Sequence, residues 1–276
     1  MAAVAAVRAA LPAIAAAIDA TAAGIGTSGR LVYVGAGTSG RIAVQDGAEL
    51  PPTFNWPRER LVFSMAGGMD ALTRSVEGAE DNAADGQQQM TDAKIGGSDI
   101  VIGLAASGTT PFTIAAIAKA RALGATTIGI ANNPGAPLLA AAQYAILVAT
   151  GAEVIAGSTR MKAGTAQKIV LNLFSTGLMI KLGRVYRGRL VDMAARNAKL
   201  DIRAQAMVAD LADCDAARAA AALAECGGEL KLAVLVASGE PAASARALLA
   251  AHDGNLRMAI GARASLTPSP PPTPPR

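Results

Sequence analysis

Residues 31–49, LVYVGAGTSGRIAVQDGAE, constrain the fold more than any other stretch. Leu31, Val32, Tyr33 and Val34 form a short apolar run with β-branched and aromatic members, the pattern of a strand buried on both faces. Gly35, Gly37 and Gly40 follow at once, and Arg41, Ile42, Ala43 and Val44 open a helical pattern. Strand, glycine-rich turn and helix start in that order make an anion site. Unpaired backbone N–H groups and the positive end of the helix dipole face whatever sits in the turn. Thr38 and Ser39 add hydroxyl donors and Arg41 adds charge, so Gly37, Thr38, Ser39, Gly40 and Arg41 are expected to hold phosphate. The same glycines satisfy G-x-G-x-x-G, but a dinucleotide-binding unit ends its second strand in an acid. Here the next apolar run, 61–65, leads into Ala66, Gly67 and Gly68. A phosphate monoester is favoured over a dinucleotide or a purely structural turn.

Strand and helix patterns then alternate. Runs at 31–34, 61–65, 99–104, 126–130 and 144–148 read as strands, with helices expected around 39–48, 69–80 and 111–123. Short, wholly apolar strands between helices predict a five-stranded parallel sheet with helices on both faces, a flavodoxin-like three-layer α/β sandwich. Ligands of such sheets bind at the carboxyl ends of the strands. A second hydroxyl-rich turn, Ser107, Gly108, Thr109 and Thr110, stands at such an end, with Pro111 in the first turn of the helix that follows. A third, Ser158, Thr159, Arg160 and Lys162, precedes a long helix read from Gln167 to about Leu182. Ser158 or Thr159 alone would serve as an N-cap, but a cap does not need two cations beside it. One shared anion site explains the three segments better than three separate caps.

The expected organisation is an N-terminal helix (1–24), a phosphate-binding α/β domain (25–190), a helical domain (191–262) and a proline-rich tail without regular structure (263–276). Residues 213–260 read as a three-helix unit with turns at Gly227 and Gly228 and at Gly239, Glu240 and Pro241.

Composition excludes several classes. Hydrophobic residues make up 52% of the chain and charged residues 17%, which supplies a core and argues against global disorder. The net charge of +4 comes from scattered Lys and Arg, and aromatics are 3%, so no nucleic-acid partner is expected. Cys214, Cys226 and the single His252 lack metal-ligand spacing, so no metal is expected. No apolar run was read as reaching the roughly 20 residues that span a membrane. A reducing, cytoplasmic setting without a membrane partner is the expectation.

The three loops resemble those of the sugar isomerase (SIS) domain. VGAGTSGR (34–41), AELPPTF (48–54), SVEGAED (75–81), AASGTTPF (105–112) and GSTRMKAGTAQK (157–168) narrow the resemblance to the N-acetylmuramic acid 6-phosphate etherases, over about residues 10–260. The resemblance implies cleavage of the D-lactyl ether at C3 of N-acetylmuramic acid 6-phosphate by elimination and water addition, with no metal or cofactor. Products would be N-acetylglucosamine 6-phosphate and D-lactate, in amino-sugar catabolism and cell-wall recycling. By motif match the catalytic carboxylates are Glu49, as acid at the departing oxygen, and Glu80, as base at C2. A homodimer with sites near the subunit interface is also implied. The chemistry agrees: an ether β to the carbonyl of the opened sugar needs a base for the α-proton and an acid for the leaving oxygen.

This chain departs from the family pattern in three places. It begins at the first helix, without a further few dozen residues and their Thr-Glu pair, it has Thr109 where Arg is frequent, and it carries the proline tail. The rival reading is a non-catalytic sugar-phosphate-binding regulator of the glucokinase-regulatory-protein type. If residues 39–48 form one unbroken helix, Glu49 stands about 15 Å from Ser39. Either that helix breaks near Asp46 and Gly47, or Glu49 serves a neighbouring subunit.

Overall fold

The computed structural model describes residues 1–193 and 198–266. The chain divides into two compact units, one of Met1–Pro52 and Trp56–Lys181 and one of Thr53–Asn55 and Leu182–Arg276. The first unit therefore takes in the N-terminal helix and ends ahead of the boundary expected at 190. Of the tail expected without regular structure at 263–276, residues 263–266 belong to the last helix of the chain and the rest lie outside the described residues.

In the first unit, β1 (Leu31–Gly35), β2 (Leu61–Met65), β3 (Ile100–Leu104), β4 (Thr126–Ala131) and β5 (Tyr144–Leu147) form one parallel sheet in the order β2-β1-β3-β4-β5. Every residue of β1 and β3 is buried, as their unbroken apolar runs require. Val32, Val34 and Val101 pack with Phe112, Ala116 and Ile117 in the core on one face. Strand order reverses between β1 and β3, so the loops leaving those two strands flank the crevice where such sheets take ligands.

The helix α1 (Ala2–Gly24) runs through Pro12 and corrects the reading of apolar runs: by length and composition it is long enough to cross a membrane. Ala3, Ala6, Val7, Ala10, Ile14, Ala17 and Thr21 form its buried stripe at helical spacing. It packs against β5 and α6 (Lys162–Lys181). The approach to α6 is close: a Cβ on Gly177 would stand 2.7 Å from Ile18 Cδ1.

The helix α2 (Gly37–Phe54) is continuous through Asp46 and Gly47, so of the two alternatives the break there does not occur. Gly47 is needed for packing, since a Cβ would meet Phe63 Cε1 at 2.5 Å and Tyr33 Cε2 at 3.0 Å. The helix expected at 69–80 is also absent. Two 3-10 turns, Met69–Leu72 and Ala79–Asp81, occupy that stretch, and the helix α3 (Ala83–Asp92) follows, capped by Asn82 Oδ1 accepting from Asp85 N–H at 3.0 Å. The helices α4 (Pro111–Ala122) and α5 (Pro137–Ala141) complete the unit, each opening on proline.

The second unit holds a short antiparallel pair, β6 (Val185–Tyr186) with β7 (Arg189–Leu190), then α7 (Ala198–Ala212), α8 (Ala216–Glu225), α9 (Leu230–Ala237), α10 (Ala242–Ala251) and α11 (Leu256–Leu266). The three helices read between 213 and 260 are α8, α9 and α10, with α7 and α11 added on either side. Leu230, Leu232, Val234 and Leu235 of α9 sit in the core of this unit.

Candidate functional site

Three segments meet at the carboxyl end of the sheet. The close approach of β1 to the start of α2 depends on paired glycines: a Cβ on Gly35 would lie 2.9 Å from Gly40 Cα, and one on Gly40 would lie 2.9 Å from Gly35 O. That brings the first turn of α2, with no acidic residue in it, onto the strand end. The third segment adjoins the first. A Cβ on Gly164 would stand 3.3 Å from Thr159 O and 3.4 Å from Thr38 Cγ2.

A buried row of side chains ties all three segments together. Ser39 Oγ donates to Gln167 Oε1 at 2.9 Å, Gln167 Nε2 to Asn132 Oδ1 at 3.1 Å, and Asn132 Nδ2 to Val148 O at 2.9 Å. The Asn132 N–H donates to Ala106 O at 3.0 Å, which fixes the second segment to the same row. Gln167 and Asn132 were not anticipated from the sequence. Nothing local marks them, because their partners lie far away in the chain. Ser39 itself is 7% exposed and gives its hydroxyl hydrogen to Gln167.

In the second segment, Thr109 donates to Ser107 Oγ through both its N–H (3.2 Å) and its hydroxyl (3.0 Å). Asn133 Nδ2 donates to Ser107 O at 3.3 Å. Gly108 has φ +72°, and a Cβ there would stand 2.3 Å from Ala136 Cβ. Only glycine fits. Ser107 and Thr110 are half-buried and Thr109 is exposed.

The third segment starts its helix earlier than expected, at Lys162 instead of Gln167. Glu153 explains the shift: its carboxylate accepts from Lys162 N–H at 3.1 Å and Ala163 N–H at 2.8 Å, filling the helix start with a charge of the chain's own. Lys162 Nζ donates to Ala152 O. Ser158 is half-buried, and Thr159 and Arg160 are exposed.

Arg41 and Glu80 line one cavity of about 350 Å³, together with Gly37, Arg74 and Glu77. Arg41 is heavily engaged: Nε donates to Ala71 O (3.1 Å) and Leu72 O (3.0 Å), and Nη2 to Ala71 O (2.8 Å) and Arg74 O (3.5 Å). Those carbonyls face Arg41, and Gly78, with φ +70°, stands where a helix over 69–80 would need right-handed backbone. The cavity takes in neither the Ser107 turn nor the Ser158 segment, and Glu49, exposed farther along α2, does not line it. A larger cavity of about 510 Å³ in the second unit, beside Asp192 and Lys231, contains none of the residues expected from the sequence.

Beneath Glu49 on α2, Asp46 is 2% exposed and accepts from Tyr33 Oη at 3.0 Å and Ser175 Oγ at 3.2 Å. Burial pushes its carboxyl above the ordinary 3.8. The Tyr33 and Ser175 hydrogen bonds and the charge of Lys168 work against the rise, while Glu49 adds to it.

Comparison with known proteins agrees with this architecture. A family profile described as SIS domain matches residues 79–176, and one described as glucokinase regulatory protein N-terminal SIS domain matches 3–121. A protein of Deinococcus radiodurans named N-acetylmuramic acid 6-phosphate etherase is 49% identical over 95% of this chain and 86% of its own length. A protein of the same name from Cronobacter sakazakii is 48% identical over 92% of this chain and 86% of its own. A solved phosphoheptose isomerase from Francisella tularensis has a TM-score of 0.46 at 19% identity, covering 61% of this chain and 86% of that one. At such identity over nearly its whole length, the chain belongs to the N-acetylmuramic acid 6-phosphate etherase family.

Proposed function

We propose that this protein is a lyase that cleaves the D-lactyl ether of N-acetylmuramic acid 6-phosphate, releasing D-lactate and N-acetylglucosamine 6-phosphate. The observation that carries the reading is the 46–49% identity, over 92–95% of the chain, to relatives of that name. The 6-phosphate is held by the hydroxyls of Ser107, Thr110, Ser158 and Thr159, by the N–H groups of Gly37, Thr38, Ser39 and Gly108, and by the charges of Arg160 and Lys162. Three segments tied by one buried row support that assignment.

Glu80 is the base. It removes the C2 proton of the opened sugar, the C3–O bond breaks toward the lactyl oxygen, and Glu49 supplies that oxygen with a proton. Water then adds its oxygen at C3 and a proton at C2. The place of Glu80 on the cavity wall beside the start of α2 supports its role. The unbroken α2 supports Glu49 acting in the site of a neighbouring copy, and hence a homodimer with its sites near the interface.

The same reading puts the protein in the cytoplasm, since a charged phosphosugar is retained where it is made. Its place is in amino-sugar catabolism and cell-wall recycling. A second reading, a non-catalytic sugar-phosphate-binding regulator, has the match over 3–121 in its favour. Incubating the protein with N-acetylmuramic acid 6-phosphate decides between them: the etherase releases D-lactate, and the regulator binds the sugar and releases none.

A further inference from the structure

We infer that Arg74 recognises the carboxylate of the lactyl group, and so separates substrate from product. The inference rests on the etherase reading and goes one step beyond it. The lactyl ether is attached at C3, adjacent to the carbon whose proton Glu80 would take. Its carboxylate, a few bonds beyond C3, therefore reaches the wall that carries Glu80. Glu77 and Glu80 already line that wall, and a third carboxylate beside them is repelled unless a cation meets it.

Two guanidiniums line the cavity, and they differ in what they already hold. Arg41 is committed through Nε and Nη2 to the carbonyls of Ala71, Leu72 and Arg74. The Arg74 side chain is exposed and makes no hydrogen bond or ion pair among the described residues. Its backbone is nevertheless held, since Arg74 O accepts from Arg41 Nη2 at 3.5 Å. Arg74 thus offers a planar fork of N–H donors, the geometry that binds a carboxylate through two parallel hydrogen bonds, from an anchored base. Of the residues assigned to the phosphate only Gly37 lines this cavity, and the Ser107 and Ser158 segments lie outside it, so most of the phosphate's partners stand apart from Arg74.

The product lacks the lactyl group, which makes the test selective. In a Glu80→Gln background, where turnover is stopped, titration calorimetry compares N-acetylmuramic acid 6-phosphate with N-acetylglucosamine 6-phosphate. Adding Arg74→Ala should weaken the first by about 10- to 100-fold, the loss of a charge-assisted pair, and leave the second within about twofold. Arg74→Lys, which keeps the charge without the fork, should fall between. Equal weakening of both sugars would overturn the inference, because Arg74 would then serve the phosphate or the fold. No weakening of either would overturn it as well. A wild-type protein that releases no lactate would sink the etherase reading itself. Release of lactate with no selective loss in Arg74→Ala sinks only the role of Arg74.

Discussion

The Tyr33 hydroxyl donates to Asp46 Oδ2 at 3.0 Å with both residues almost wholly out of solvent, tying the central residue of β1 to the middle of α2. Burial raises the Asp46 carboxyl above its ordinary value, and the hydrogen bonds from Tyr33 and Ser175 offset that only in part. The folded state therefore binds this proton more tightly than the unfolded chain does. Its contribution to stability is full below the ordinary value of 3.8 and is lost as pH rises through the raised value. Asp46→Asn carries no such proton. The thermal midpoint of the wild type relative to Asp46→Asn should fall as pH rises through and above the ordinary carboxylate range. A difference that stays constant across that range would show that Asp46 titrates normally.

Arg41→Ala removes the donors that hold Ala71, Leu72 and Arg74 in place. The stretch up to Glu80 should open more often while the sheet stays folded. Loss of hydrogen bonds worth about 1.5–3 kcal/mol should speed tryptic cleavage after Arg74 by about tenfold or more. Unchanged cleavage would show that the stretch is held by something other than Arg41.

The two proposed catalytic carboxylates should separate in a solvent-exchange assay. With Glu49→Gln the base survives, so hydrogen at C2 still exchanges with solvent while lactate release drops by about 10²- to 10⁴-fold. With Glu80→Gln, exchange and release should fall together. The reverse pattern would exchange the roles of acid and base.

Mixed dimers test whether Glu49 acts across a subunit boundary. A Glu49→Ala chain is paired with a chain carrying Ser107→Ala and Ser158→Ala. In a shared site, one of the two sites regains intact hydroxyls and an intact Glu49, so activity should return to about half that of the wild type. Verified mixed dimers that stay inactive would place Glu49 in the site of its own chain.

The sheet was legible because its strands are uninterrupted apolar runs: all five lie where the sequence put them, within a residue or so at the ends. The stretch 69–80 departs from its helical pattern for a reason that pattern does not carry. Its carbonyls answer to Arg41, some thirty residues earlier in the chain. The start of α6 was placed late because Glu153 caps it from outside the helix. Gly47 allows a break, and only the packed rings of Phe63 and Tyr33 show why a glycine stands inside an unbroken helix. The loops themselves could be picked out by composition. Gln167 and Asn132, which join them, could not.

The row from Ser39 to Val148 runs in one sense only. A carbonyl oxygen has no hydrogen to give, so Asn132 must turn its NH₂ group toward Val148 and its oxygen toward Gln167. Gln167 is left with its oxygen facing Ser39. Turning any one amide around would set two acceptors or two donors face to face in a buried place, at about 1–3 kcal/mol for each unmet group. The row works as a check valve for polarity. A main-chain oxygen just past an edge strand decides that the Ser39 hydrogen points inward, already given to Gln167.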